Sequence, residues 1–212
     1  SHPDHAMLSA ATRPEIMSHA VTDEVELAAL MANADTVAFG PGLGQSEWAQ
    51  RMLHAEETAS LPAVWDADAL NLLAKSPGVV ANRIITPHPG EAARLLATTA
   101  GSVQADRKGS LGALVKKFGG VAVLKGAGTL VSTPSGVPRL CTSGNPGMAA
   151  PGMGDVLTGV IAALVAQGLE LQDAAALGVD VHARAGDIAA EQGERGLLAS
   201  DVIKALRRVV NP

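Results

Sequence analysis

The chain is poor in aromatic residues and has a single cysteine. It contains two Trp, two Phe and no Tyr in 212 residues, so the side chains on which nucleic-acid bases stack are nearly absent. Cys141 has no partner for an internal disulfide and cannot build a metal site of several cysteines. This cysteine usage is typical of a reducing compartment, and we expect a cytoplasmic location.

A basic surface and long apolar runs are also absent. The formal net charge is −5 without a block of Lys and Arg, which argues against nucleic acid as a partner. No apolar run approaches the roughly 20 residues of a membrane-spanning helix, and residues 1–5 lack the pattern of a signal peptide. Hydrophobic residues still make up 47% of the chain. We therefore expect one large domain with its own core and no membrane contact.

Short β-branched runs alternate with longer amphipathic stretches rich in Ala and Leu. This alternation predicts an α/β domain whose mostly parallel sheet has helices on both faces. The predicted strands are residues 36–39, 63–65, 83–86, 121–125, 129–132 and 137–141. A turn signal at residues 134–136 predicts that the last two form an antiparallel hairpin at one edge of the sheet. Because a helix is the first predicted element, we expect the N-terminal βα unit of such a domain to be absent.

Local signals predict where several helices begin. Asp23 followed by Glu26 resembles a capping box, Ser46 is a candidate N-cap, and Pro89 suits a first helical turn. Further helices are predicted over residues 155–167, 171–191 and 200–210, the last opened by Ser200-Asp201.

The densest glycine segment, residues 142–155, has four glycines within eleven residues and precedes the most apolar predicted helix. A helix N-terminus presents unpaired N–H groups and partial positive charge, and glycine lets the backbone come close to a phosphate. Asp155 lies in the first turn of that helix. It either caps the helix, or it accepts a proton from a hydroxyl that attacks a phosphoryl group held there.

A second candidate segment is Lys125-Gly126-Ala127-Gly128-Thr129, directly after the most continuous apolar strand. A Lys, a flexible turn and a hydroxyl at the end of a strand suit nucleotide phosphates in the crevice of an open α/β sheet. The alternative is a solvated Lys in a plain β-turn. The segment is not a Walker A loop, because no G-x-x-x-x-G-K-[ST] string is present.

The turn Gly40-Pro41-Gly42-Leu43-Gly44 also allows close approach of a ligand, or is simply a tight turn. A dinucleotide fingerprint would need Gly at position 45, where Gln45 stands. After the next strand, Asp66 and Asp68 could hold Mg²⁺ or a ligand hydroxyl. We favour the structural alternative, in which Asp68 is a helix N-cap and Asp66 bonds a neighbouring loop.

Two histidines lie in different sequence contexts. His88 stands between Pro87 and Pro89 at the end of a strand, which fixes its backbone and favours contact of its imidazole with a ligand. His182 lies in the middle of a predicted helix, where packing or solvation is expected.

Five of these segments, in this order and spacing, resemble the ADP-dependent NAD(P)H-hydrate dehydratase family of the ribokinase-like superfamily. They are residues 40–44, 65–71, 86–91, 125–129 and 144–157, so the resemblance covers nearly the whole chain. The resemblance implies a three-layer α/β/α sandwich that forms a single domain over residues 1–212. By the same resemblance, the domain would correspond to the C-terminal domain of bifunctional NAD(P)H-hydrate repair enzymes, and we expect it to lack the N-terminal βα unit.

The same resemblance implies roles for individual residues. Gly42, His88 and Asp155 would contact the hydrate, and Asp155 would be the catalytic base. Residues 125–129 and Gly154 would hold the adenine nucleotide, which is ADP or ATP. Mg²⁺ would neutralise its phosphates, and no side chain is assigned as a metal ligand. A homo-oligomer, a tetramer in the family, is implied as well.

The implied reaction repairs hydrated nicotinamide cofactors. Phosphorylation turns the hydroxyl of (6S)-NAD(P)HX into a good leaving group, and the lone pair of the ring nitrogen then expels phosphate to restore NAD(P)H. Two alternatives stay open. A small-molecule kinase of the same fold would use Asp155 in the same way. The second alternative is a nucleotide-binding module that has lost catalysis. Pro151 favours it because proline removes one N–H donor from the glycine-rich loop that would bind phosphate.

Overall fold

A computed structural model describes residues 1–211, apart from the side chains of residues 7–10 and 12. Within that range six strands form one sheet, in the spatial order β1-β2-β3-β4-β5-β6. The strands are β1 (Val37–Phe39), β2 (Ala63–Trp65), β3 (Arg83–Ile85), β4 (Val121–Leu124), β5 (Thr129–Ser132) and β6 (Arg139–Cys141). The helices are α1 (Pro3–Thr12), α2 (Glu24–Met31), α3 (Glu47–Ala59), α4 (Asp68–Lys75), α5 (Pro89–Leu96), α6 (Ala100–Ala105), α7 (Arg107–Phe118), α8 (Met153–Ala166), α9 (Leu171–Ala189) and α10 (Ala199–Val210).

The pairing of the strands confirms the predicted sheet. Strands β1 to β4 are parallel neighbours, whereas β4 pairs with β5 and β5 with β6 in antiparallel fashion. The carboxyl ends of the four parallel strands therefore meet at one edge of the sheet, where α/β domains bind ligands. The start of β5 and the end of β6 reach the same edge, since Thr129 pairs with Cys141.

Apolar side chains cover both faces of the sheet. Neighbouring residues of a strand point to opposite faces, so Trp65 joins the core beneath α3, α4 and α7, whereas Val64 joins the core against α8 and α9. Every residue of β2, β3 and β4 is buried, as a parallel sheet between two helical layers requires. This arrangement confirms the three-layer sandwich.

The predicted helix starts are mostly confirmed. The Asp23 carboxylate accepts the Glu26 N–H at 2.9 Å, although Glu26 reaches back to the N–H of Thr22 rather than to that of Asp23. Ser46 caps α3, and Pro89 occupies the first turn of α5. Helix α10 begins at Ala199 instead of Ser200. Helices α1, α6 and α7 have no counterpart in the prediction.

Glu56 on α3 is a buried carboxyl group, only 5% exposed, close to Trp65 and Arg83. Burial raises its pKa from 4.5 to about 7, and the attraction of the Arg83 guanidinium offsets part of that rise. A carboxyl group with a raised folded-state pKa stabilises the fold only while it is protonated. The contribution of Glu56 to the free energy of unfolding is therefore fully present below pH 4.5 and is lost as the pH rises through about 7.

The substitution Glu56→Gln removes this pH dependence. We expect the variant to be more stable than the unmodified chain by about 1–3 kcal/mol at pH 8, with the gap closing near pH 4.5, because no carboxylate has to ionise. Urea unfolding at several pH values measures the gap. The exposed neighbour Glu57 provides the control Glu57→Gln, and a gap for Glu56→Gln that does not change with pH would contradict the assignment.

Candidate active site

A cavity of about 650 Å³ lies at the carboxyl edge of the sheet, between the turn after β4 and helices α8 and α9. It is lined by His88, Pro89, residues 125–129, 141–146 and 148–150, Met153, Gly154, Leu157, Val179, His182 and Ala183. The cavity thus joins segments that lie up to 95 residues apart in the chain, from His88 to Ala183.

Lys125 forms one polar wall of this cavity. Its Nζ lies 2.7 Å from Asp66 Oδ1 and 3.8 Å from Glu91 Oε2. Asp66 is 1% exposed, and its second oxygen accepts a hydrogen bond of 3.0 Å from the Thr158 hydroxyl on α8. The Asp66 carboxylate therefore binds the Lys125 ammonium group and the Thr158 hydroxyl of α8. The sequence had favoured a bond from Asp66 to a neighbouring loop instead.

Asp68 is not a helix N-cap either. It is the first residue of α4, and Ala67 precedes it with φ 49°. One Asp68 oxygen accepts the Gly44 N–H at 2.9 Å, so the carboxylate links α4 to the turn after β1.

Gly40 in that turn has φ 119°, and an added Cβ would overlap the Asp66 carbonyl oxygen, so only glycine fits there.

His88 is the N-cap of α5 and lies at the rim of the cavity. Its Nδ1 accepts the Gly90 N–H at 3.0 Å, and the Glu91 carboxylate accepts the His88 N–H at 2.8 Å. Glu91 Oε1 lies 3.5 Å from His88 Nε2. The buried Glu91 carboxylate thus contacts both the backbone and the imidazole of His88 and also lies near Lys125. The sequence did not indicate either role.

Residues 125–129 form a turn that Arg107 holds in place. Its guanidinium donates to the carbonyls of Leu124 at 3.1 Å and Gly128 at 3.0 Å. Thr129 closes the turn by donating its hydroxyl to the Gly126 carbonyl at 3.0 Å. Arg107 is the first residue of α7, and no sequence pattern indicated that it would support this turn.

The start of α8 lies against the Lys125 wall. Gly152 is the N-cap in a left-handed conformation, with φ 83°. A Cβ on Gly154 would stand 3.1 Å from Lys125 Nζ and 3.2 Å from Asp66 Oδ2, so the absent side chain leaves the cavity open at this point. The Met153 N–H bonds the Ala150 carbonyl at 3.5 Å. The next N–H groups of the first helical turn have no carbonyl partner within the helix, which is what makes a helix start suitable for an anion.

The glycine-rich loop before α8 is anchored on α9. The Asp187 carboxylate accepts the Gly144 N–H at 2.9 Å and the Asn145 side-chain amide at 3.0 Å. This contact spans 43 residues of sequence, which is why the loop pattern alone did not indicate it.

Comparison with known proteins identifies the family. The sequence profile described as NAD(P)H-hydrate dehydratase matches residues 2–208. The chain belongs to the NAD(P)H-hydrate dehydratase family. The bifunctional NAD(P)H-hydrate repair enzyme Nnr of Coxiella burnetii is 49% identical over 213 residues, which are 100% of this chain and 44% of that protein. The Escherichia coli K12 enzyme of the same name is 49% identical over 94% of this chain and 39% of its own length. The chain thus spans less than half of these relatives.

Solved structures of the family have the same fold. The ADP/ATP-dependent NAD(P)H-hydrate dehydratase from Bacillus subtilis, co-crystallised with ATP and Mg²⁺, superimposes with a TM-score of 0.84 at 26% identity. The match covers 99% of this chain and 76% of that one. A ribokinase-like superfamily protein from Enterococcus faecalis V583 has a TM-score of 0.85 at 26% identity, over 99% and 74% of the two chains. These matches confirm the predicted ribokinase-like fold.

The structure brings together most of the residues that the family resemblance singled out. His88, residues 125–129 and Gly154 all line the one cavity. Gly42 and Asp155 are exposed and do not line it. Asp155 is the third residue of α8, directly after Gly154, and does not cap the helix, whose N-cap makes no side-chain hydrogen bond.

Other groups bear on what this dehydratase-family site can bind. His182, expected only to pack or to be solvated, is buried and lines the cavity. Among the described residues, no three His, Cys, Asp or Glu side chains are grouped to hold a metal ion. In the same part of the chain, no helix has the length and hydropathy needed to cross a membrane.

Proposed function

We propose that this chain carries out the adenine-nucleotide-dependent dehydration of (6S)-NAD(P)HX to NAD(P)H. The observation that carries the proposal is the convergence of Lys125, the turn of residues 125–129 and the first turn of α8 on one cavity. A cation, hydrogen-bond donors and a glycine without a side chain form a site for the phosphates of a nucleotide. The match to a family member crystallised with ATP and Mg²⁺ supports the same assignment.

Mg²⁺ fits this site as a companion of the nucleotide. It usually keeps several waters and binds one or two carboxylates together with substrate phosphates. Asp66 and Glu91 are the carboxylates beside Lys125, and no larger ligand group is assembled among the described residues. When bound, the ion would neutralise phosphate charge. Both carboxylates already have partners within the protein, Asp66 in Lys125 and Thr158 and Glu91 in His88, so phosphates and water would supply most of the ligands of the ion.

In the proposed mechanism, the Asp155 carboxylate takes the proton of the hydrate hydroxyl while the hydroxyl oxygen attacks the terminal phosphoryl group. Lys125 and the N–H groups at the start of α8 stabilise the charge on the transferred group. The lone pair of the ring nitrogen then breaks the carbon–oxygen bond, and phosphate departs to leave an iminium ion. Loss of a proton from the neighbouring ring carbon to water restores the dihydropyridine. With ADP as donor, the products are NAD(P)H, AMP and phosphate.

The position of Asp155 suits this role. Asp155 directly follows Gly154 on α8; Gly154 lines the cavity, and Asp155 does not. Its carboxylate is exposed and has no hydrogen-bond or ion-pair partner among the described residues. The hydrate would therefore approach beside α8, where His88 at the cavity rim and Gly42 would contact it.

The test is incubation of the chain with chemically prepared NADHX or NADPHX and either ADP or ATP in the presence of Mg²⁺. We expect the absorption band of the reduced nicotinamide to return only when nucleotide is present. Phosphorylation of a small alcohol without return of this band would indicate a kinase instead. Nucleotide binding without any turnover would indicate a binding module. The cytoplasmic location and the homotetramer stay predictions.

A further inference from the structure

The turn of residues 125–129 has its backbone hydrogen bonds on one side only. The carbonyls of Lys125, Gly126 and Gly128 each accept from a side chain. In contrast, the N–H groups of Gly126, Ala127 and Gly128 donate to no acceptor among the described residues. The turn lines the cavity, and Gly126 and Ala127 are exposed. Successive N–H groups without partners form a concave site that suits an anion.

The side chain on the other side of this turn is Arg107. Its guanidinium donates to three backbone carbonyls, and the one of Lys125 lies 3.4 Å away. A Cβ on Gly126 would stand 3.1 Å from Arg107 Nη1, so the guanidinium lies directly against the turn. Gln104 Oε1 accepts from Nη1 at 2.8 Å and orients the group. Arg107 does not line the cavity and therefore reaches a ligand there only through the turn.

The geometry of the peptide bond connects the bonded carbonyls with the free N–H groups. In a trans peptide, the carbonyl of one residue and the N–H of the next point in opposite directions. Because the Lys125 carbonyl faces Arg107, the Gly126 N–H faces the opposite side of the turn. The preceding peptide shows the same relation. The Leu124 carbonyl accepts from Arg107, and the Lys125 N–H donates away from it to the Pro87 carbonyl at 2.9 Å.

We propose that Arg107 is a positioning residue for the nucleotide. By binding the carbonyls of residues 124, 125 and 128, it keeps the N–H groups of residues 126–128 directed at the phosphates. The inference rests on the proposed function, because it takes the phosphates to lie beside this turn. A glycine-rich turn has many conformations when no side chain holds it. Without Arg107, each binding event would have to order the turn, and nucleotide affinity would fall.

The test separates nucleotide binding from the chemical step. For Arg107→Ala we expect the KM for ADP to rise roughly 10- to 100-fold, because donors that bind phosphate equally in the ground and transition states lose their order. The turnover number at saturating ADP and the KM for the hydrate should stay within about threefold. Steady-state rates over a range of both substrate concentrations give all three values.

Two further variants exclude a purely structural or purely electrostatic effect. Lys108→Ala removes the exposed cation at the next position of α7 and should change none of the three values. Arg107→Lys keeps the charge but not the forked group of donors, so its KM for ADP should lie between those of Arg107→Ala and the unmodified chain. It also decides the question if Arg107→Ala does not fold.

Two results would overturn the inference alone. One is an unchanged KM for ADP in the folded Arg107 variants, and the other is an equal rise in the KM for the hydrate. Failure of the unmodified chain to bind or use ADP would overturn the proposed function as well.

Discussion

Replacing Asp155 with Asn should lower turnover of NAD(P)HX by about 10²–10⁴-fold while ADP affinity stays within about twofold. The amide has the same shape as the carboxylate but cannot accept the hydroxyl proton. Asp155 makes no hydrogen bond or ion pair within the described residues, so its replacement breaks no contact of the fold. Steady-state rates with prepared hydrate and nucleotide binding by calorimetry separate the two effects.

A matched control is present in the last helix. Asp201 is the third residue of α10, as Asp155 is of α8, so Asp201→Asn removes a charge from the same helical position. Both variants lose the interaction of a carboxylate with a helix N-terminus. Asp201→Asn also loses the ion pair with Lys204, so it perturbs the fold at least as much as Asp155→Asn does. Only Asp155→Asn should lose turnover. Equal rates in the two variants would mean that Asp155 is not the base.

Replacing Lys125 with Met should have the largest effect on stability, a loss of about 3–5 kcal/mol. The substitution leaves the buried Asp66 carboxylate without the ammonium group that lies 2.7 Å away. It should also weaken ADP binding by roughly 10- to 100-fold, because a charge-assisted hydrogen bond to phosphate is lost. Urea unfolding and nucleotide titration measure the two losses independently.

The double variant Lys125→Met with Asp66→Asn tells the two roles of Lys125 apart. Removing the Asp66 charge should recover much of the stability, because no unpaired charge stays buried, whereas ADP affinity should stay low. Lys204→Met serves as the control, since Lys204 is mostly exposed and pairs only with Asp201 on the surface. A Lys125→Met protein as stable as the unmodified chain would show that Asp66 does not depend on this ion pair.

Much of the fold could be predicted because its signals are local. The apolar run of β4 and the turn before β6 each depend on a few consecutive residues. The caps Asp23 and Ser46 act on N–H groups three residues away. Hydrogen bonds at this range follow from the backbone geometry of a helix start and need no tertiary contact. The family segments added the turn of residues 125–129 and the glycine-rich loop.

The polar wall of the site depends on contacts that no local pattern contains. Lys125 and Asp66 are 59 residues apart, and Asp66 and Thr158 are 92 apart. The sequence placed both charged groups at strand ends but favoured a bond to a neighbouring loop for Asp66 and a helix cap for Asp68. Parallel pairing of β2, β3 and β4 brings the strand ends to one edge, where burial makes the ion pair more favourable than a cap.

The sequence by itself determined the α/β/α layering, the antiparallel edge and the residues of the Lys125 turn that line the cavity, because hydrophobic periodicity and glycine-rich turns act over short stretches of chain. Only the tertiary structure decided that Asp66 and Glu91 flank Lys125, that Arg107 and Asp187 hold the loops, and that His182 is buried at the cavity wall. These features arise from packing between distant elements, where burial removes water and makes each polar group depend on the partner that the fold places beside it.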